Sequence, residues 1–128
     1  MEMKIKEGLV GIGTDIESVK RFSSLPYSEN KIFYEKIFTK EEIKSCMAKP
    51  NPYKSFAARF ASKESIIKAF SRLGVLSFKD VEFIDGQNNI PKAIITKNKF
   101  RKLTGELTIK FSMSHTDEYA TAVAIITK

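Results

Sequence analysis

A chain of 128 residues with 42% hydrophobic content is long enough to bury one core and too short for two, so a single domain over residues 1–128 is expected. Its 22 Lys and Arg against 15 Asp and Glu give a formal charge of +7, which favours an anionic partner without choosing among nucleic acid, a membrane surface, a phosphorylated small molecule and an acidic protein. Cys46 is the only cysteine, which excludes an internal disulfide and fits a reducing compartment; residues 1–10 carry charges and no apolar run long enough for a signal peptide or a membrane span, so a cytoplasmic location is expected.

Residues 8–16, GLVGIGTDI, read as a buried apolar strand that meets its first charge at Asp15. Gly11 and Gly13 weaken a strand interior and are tolerated where another backbone or a ligand comes close. A short helix over residues 17–22 follows, so capping by Thr14 or Asp15 is the competing role for the carboxylate. After a Ser/Pro-containing break at 23–28, residues 30–37 form a second short helix, and Thr39 with Glu42 makes a capping box that starts a third through about Ala48. A long helix runs over 53–73, with Gly74 placed to stop it in a left-handed conformation. Residues 79–84 and 91–96 flank a polar loop as a hairpin, 97–103 form a short helix, and the last two strands cover 107–114 and 120–127 with His115 at their turn. The class is therefore α+β, a mostly antiparallel sheet packed against one long central helix, without repeats or low-complexity tracts.

The long helix contains FAARFASKESIIKAF, which sets Glu64 within an apolar face. At 100° per residue Phe60 and Lys68 lie about 40° to either side of Glu64, and Ala57, Ala61 and Ile67 within about 60°. Burying an ionised carboxylate is costly unless it is paired, hydrogen-bonded or bound to a metal. A Glu64/Lys68 surface pair at i,i+4 would satisfy it, and so would a cation shared with Asp15, because two carboxylates are the usual protein share of a Mg²⁺ shell completed by water and phosphate. The second arrangement is a phosphate-handling site. Phe56, Phe60, Phe70 and Phe111 follow core spacing and are not interleaved with cations on one surface, so a nucleic-acid partner is not expected.

Three ordered motifs extend the argument. Gly11, Ile12, Gly13, Thr14, Asp15, Ile16 with Arg21 match G-I-G-x-D-I and a following basic residue; Phe38 to Glu42 match F-T-x-x-E, and Phe60 to Ala69 match F-A-x-[KR]-E-[AS]-x-x-K-A; Ser112, Met113, Ser114 and His115 match S-x-S-H. Over nearly its whole length the chain resembles the holo-acyl-carrier-protein synthases, the short bacterial type of 4'-phosphopantetheinyl transferase.

That resemblance implies transfer of the 4'-phosphopantetheine arm from coenzyme A to a serine of apo acyl carrier protein, releasing adenosine 3',5'-bisphosphate, in support of fatty acid biosynthesis; a broader range of peptidyl or polyketide carriers is the alternative. It assigns Asp15 and Glu64 to Mg²⁺ and Lys68 to a phosphate oxygen, with the serine proton going to Glu64 or to a water held by Asp15 or Glu64. Ser114, His115 and Thr116 would line the coenzyme A nucleotide site; His115 taken alone would more often be structural. Arg59 and Lys63 are candidates for coenzyme A phosphates, with a solvated or intersubunit basic face as their competing role. Pro91 belongs to a loop segment where the family has G-x-P and this chain has Asn89, Ile90 and Pro91. Lys20 and Arg21 would dock the acidic carrier, and the family implies homotrimers with active sites at subunit interfaces.

Overall fold

The computed structural model describes residues 8–85 and 91–128; the expectations for residues 1–7 and for Asn89 and Ile90 lie outside them. Strand β1, Leu9–Ser18, pairs antiparallel with the last strand β5, Tyr119–Thr127, which also pairs antiparallel with β4, Thr108–His115, giving the order β1-β5-β4. A second antiparallel pair is made by β2, Val81–Asp85, and β3, Pro91–Ile95. The helices are α1, Val19–Ser23; α2, Lys31–Ile37; α3, Lys40–Met47; α4, Pro52–Ala69; and α5, Arg101–Thr104.

Period-two alternation decides which face of the three-stranded sheet is covered. Ala120, Ala122, Ala124 and Ile126 of β5 are buried against α4, and the small side chains let the helix lie close. β1 comes closer still. A Cβ at Gly11 would overlap the Ala69 carbonyl oxygen, and one at Gly13 the Ser65 carbonyl oxygen. Two strand residues advance about 6.7 Å and four helix residues about 6 Å, so these contacts recur in step along strand and helix. The approach expected at the two glycines is therefore made by another backbone. It leaves Asp15, two residues beyond Gly13 on the same face, beside the turn of α4 that carries Glu64.

The opposite side of α4 is covered too. Phe22, Tyr34, Phe38, Phe56 and Phe60 form one aromatic core with α1 to α3, and Phe70, Val81, Phe83 and Phe100 a second toward β2 and β3. Each fully buried Phe contributes roughly 1.5–3 kcal/mol. The Thr39/Glu42 capping box forms as its spacing requires.

Several boundaries differ from expectation. β1 continues through Ser18, whose side chain caps α1 by accepting from Arg21 N–H, so neither Thr14 nor Asp15 is a cap. α4 ends at Ala69, short of residue 73, and Gly74 is not left-handed; a Cβ there would strike the Phe100 ring, which is why glycine fits. His115 is the last residue of β4, paired with Ala120.

Lys63 overturns the reading of a phosphate-binding or solvated lysine. It is fully buried, and its ammonium donates to Glu42 Oε1 at 2.7 Å and to the carbonyls of Ile37, Phe78 and Val81 at 2.9, 3.1 and 2.7 Å. Glu42 also accepts from Thr39 N–H at 2.8 Å and from Phe83 N–H at 2.9 Å. Burial pushes the Lys63 ammonium pKa down and the Glu42 carboxylate opposes it. The pair ties α3, α4 and β2 together.

Candidate active site

Asp15, Glu64 and Lys68 come together where β1 crosses α4. Lys68 does not pair with Glu64 along its own helix. Its Nζ donates to the Thr14 carbonyl at 3.0 Å and to Asp15 Oδ1 at 3.3 Å. An ammonium has three donors, so the half-exposed lysine keeps one for a ligand. Burial and the Asp15 charge push the Glu64 carboxyl above the usual range, with Lys68 and Arg21 opposing.

A further acid joins them. Glu17 follows Asp15 by two residues on β1, so both carboxyls lie on one face of the strand. Glu17 Oε2 accepts from Arg21 Nη1 at 3.2 Å. Burial, then the contact with Asp15, pushes Glu17 up to about 6, against the pull of Arg21. Glu17 escaped the sequence reading because the strand was expected to end at Ile16; with β1 extended to Ser18, i,i+2 spacing places both acids on one face.

Asp15 Oδ2 is buried and no N–H or hydroxyl donor among the described residues reaches it. An orphaned carboxylate oxygen beside a second carboxylate that its charge perturbs suits a hard divalent cation, and Asp15 and Glu64 fit Mg²⁺ as its two protein ligands. No group of three or more His, Cys, Asp or Glu forms a fuller cage among the described residues, so such an ion would draw its other ligands from water and substrate phosphate. A surface cavity of about 570 Å³ opens here, lined among others by Thr14, Asp15, Lys68, Ser112 and Ser114.

Of the other anticipated residues, Ser114 lines this cavity and Arg21 adjoins it through Glu17, and the rest lie apart. Arg59 and His115 line a cavity of about 280 Å³ with Cys46, Lys49 and Met113. Arg59 Nη1 is buried with no hydrogen-bond partner among the described residues, and its guanidinium stands 5.0 Å from the Phe83 ring centroid. Ser114 and His115 are adjacent in β4 and so point to opposite faces of the sheet. β5 separates β4 from β1, which puts His115 roughly 10 Å across the sheet from the Asp15 strand. The Thr116 hydroxyl accepts from Glu118 and Tyr119 N–H and closes the β4–β5 turn. Pro91 opens β3 opposite Asp85. Lys20 is exposed on α1; Arg21 is half-exposed, held by Glu17 and lying 5.5 Å over the Phe60 ring.

Residues 11–124 match the family model of the 4'-phosphopantetheinyl transferase superfamily. The holo-[acyl-carrier-protein] synthase of Chloroherpeton thalassium is 38% identical over 117 residues, covering 90% of this chain and 95% of that protein. The enzyme of the same name from Chlamydia felis is 40% identical over 116 residues, covering 89% and 93%. The crystal structure of Helicobacter pylori holo-[acyl-carrier-protein] synthase in complex with coenzyme A superposes with a TM-score of 0.75 at 29% identity, covering 91% of this chain and 99% of that one. The chain belongs to the 4'-phosphopantetheinyl transferase superfamily, among its holo-acyl-carrier-protein synthases, and is a phosphopantetheinyl transferase enzyme.

Proposed function

We propose that this chain transfers the 4'-phosphopantetheine group of coenzyme A to a serine of apo acyl carrier protein in a Mg²⁺-dependent reaction, releasing adenosine 3',5'-bisphosphate and serving cytoplasmic fatty acid biosynthesis. The observation that carries this reading is the convergence of Asp15, Glu64 and Lys68 over the glycine contact of β1 with α4. The serine Oγ attacks the phosphorus that bears the pantetheine arm, and the bond from that phosphorus to the bridging oxygen breaks. The bisphosphate leaves with the electron pair, and the serine proton passes to Glu64 or to a water held by Asp15 or Glu64. Lys68 holds a departing phosphate oxygen with its spare donor while staying anchored to Asp15 and Thr14. Asp15 and Glu64 would hold the Mg²⁺, which would supply neutralisation of the charge that builds on the pyrophosphate.

Arg59, His115, Ser114, Thr116 and Pro91 serve the nucleotide end of coenzyme A, and Lys20 with Arg21 docks the acidic carrier. The placement of His115 two strands across the sheet from the Asp15 strand, in one cavity with Arg59, supports a homotrimer in which neighbouring subunits complete each site. So does the uncovered face of the sheet, where Ile12, Ile16, Tyr119 and Ile125 are exposed at 58%, 61%, 51% and 39%. A monomer by sedimentation would remove the trimer from this reading. The activity is tested by mass spectrometry of apo acyl carrier protein incubated with the protein, coenzyme A and Mg²⁺. A mass gain of one phosphopantetheine arm, lost with EDTA and with Glu64→Ala, is expected; no gain from folded protein with several carriers contradicts it.

A further inference from the structure

Four charged side chains form a line from α1 to α4: Arg21, Glu17, Asp15 and Lys68. Arg21 Nη1 reaches Glu17 Oε2 at 3.2 Å, Glu17 and Asp15 stand two residues apart on one face of β1, and Lys68 Nζ reaches Asp15 Oδ1 at 3.3 Å. The two acids are mostly covered, each 13% exposed at the side chain, whereas the cations at either end are both 52% exposed. Like charges repel, and here each acid is offset by its own cation, Glu17 by Arg21 and Asp15 by Lys68. Arg21 is further placed by Phe60, which precedes Glu64 by one turn of α4.

We propose that Glu17 is a positioning residue that couples carrier docking at Arg21 to divalent-cation binding at Asp15; this rests on the docking and metal roles proposed above. A carboxylate-rich carrier surface that draws Arg21 to itself withdraws the cation that neutralises Glu17. The negative charge beside Asp15 then becomes less compensated, and a divalent ion there binds more tightly. Linkage makes the effect reciprocal: the ion strengthens carrier binding by the same factor. Glu17 itself touches neither the reacting phosphorus nor the serine. It acts through Asp15 on one side and Arg21 on the other.

The test needs no turnover. Mn²⁺ affinity is measured by electron paramagnetic resonance for the full chain, with and without saturating acyl carrier protein whose acceptor serine is replaced by alanine. In the unaltered protein the carrier is expected to tighten Mn²⁺ binding by about five-fold or more, within the usual range of coupling between sites. Glu17→Gln keeps the shape and removes the charge, and is expected to bind both ligands with that factor reduced to about one; adding Arg21→Ala to it changes the factor no further, because both residues act through one contact. Thermal melting reports that each variant is folded. A carrier effect that persists in folded Glu17→Gln overturns the proposal, as does an unaltered protein that binds Mn²⁺ with no response to carrier, which leaves the metal site standing. An unaltered protein that binds no Mn²⁺ overturns the metal site and the coupling together.

Discussion

Lys63 and Lys68 sit five residues apart on the same helix, about 140° apart around its axis, and have opposite fates. Lys63 is surrounded by four oxygen acceptors at 2.7 to 3.1 Å, more than its three donors can serve, and no water reaches it. Lys68 meets two acceptors at 3.0 and 3.3 Å and is half-exposed. The difference separates a cation committed to the fold from one still able to bind better than charge or motif does. A cation whose donors are all spent inside the fold has nothing left for a ligand, and one that keeps a donor at a cavity mouth has.

The largest effect that sharpens the contrast is on stability. Lys63→Ala strands Glu42 in the core and is expected to cost about 3–5 kcal/mol, the usual penalty for breaking a buried ion pair from one side. Urea unfolding measures it, and a loss below about 1 kcal/mol would mean that water enters the site. The next concerns Tyr34, fully buried, whose hydroxyl lies 3.0 Å from the Phe22 carbonyl and 2.7 Å from that of Leu25. Burial raises its pKa above the ordinary 10.0. A raised folded value means that Tyr34 supports the fold fully below pH 10.0 and that this support fades as pH rises further. Tyr34→Phe is expected to lower stability at neutral pH by about 1–2 kcal/mol and to flatten the alkaline limb of the stability curve; an unchanged limb would locate the alkaline loss elsewhere. The smallest effect belongs to Cys46. Its thiol is buried and pushed up to about 11, so native protein at neutral pH should resist maleimide and take it up only on unfolding. Rapid labelling of folded protein would show that the cavity beside Arg59 and His115 opens.

Much of this was legible in the residues. The capping box at Thr39 and Glu42, the strand carrying Gly11 and Gly13, the long helix and the assignment of Asp15, Glu64 and Lys68 to one place follow from spacing and motif. Lys63 was not legible, because a helical wheel gives relative directions and α4 is covered on two sides, by the three-stranded sheet and by α3 with the β2–β3 hairpin. The partner of Lys68 was not legible for a related reason. Sequence spacing offers Glu64 at i−4, whereas Asp15 comes from a strand 53 positions away in sequence. Glu17 was hidden by a strand boundary two residues short, and Gly74 by assigning to backbone conformation what belongs to the Phe100 ring.

The most direct test of the contrast is the single-turnover rate of phosphopantetheine transfer by Lys68→Ala, with a thermal melt on the same sample. A fold of unaltered stability with a rate about 10²–10³ lower is the predicted result, the usual loss when one charge-stabilising donor is removed. A folded Lys68→Ala protein that transfers at the unaltered rate, or a variant that fails to fold, would contradict the separation of a structural Lys63 from a functional Lys68.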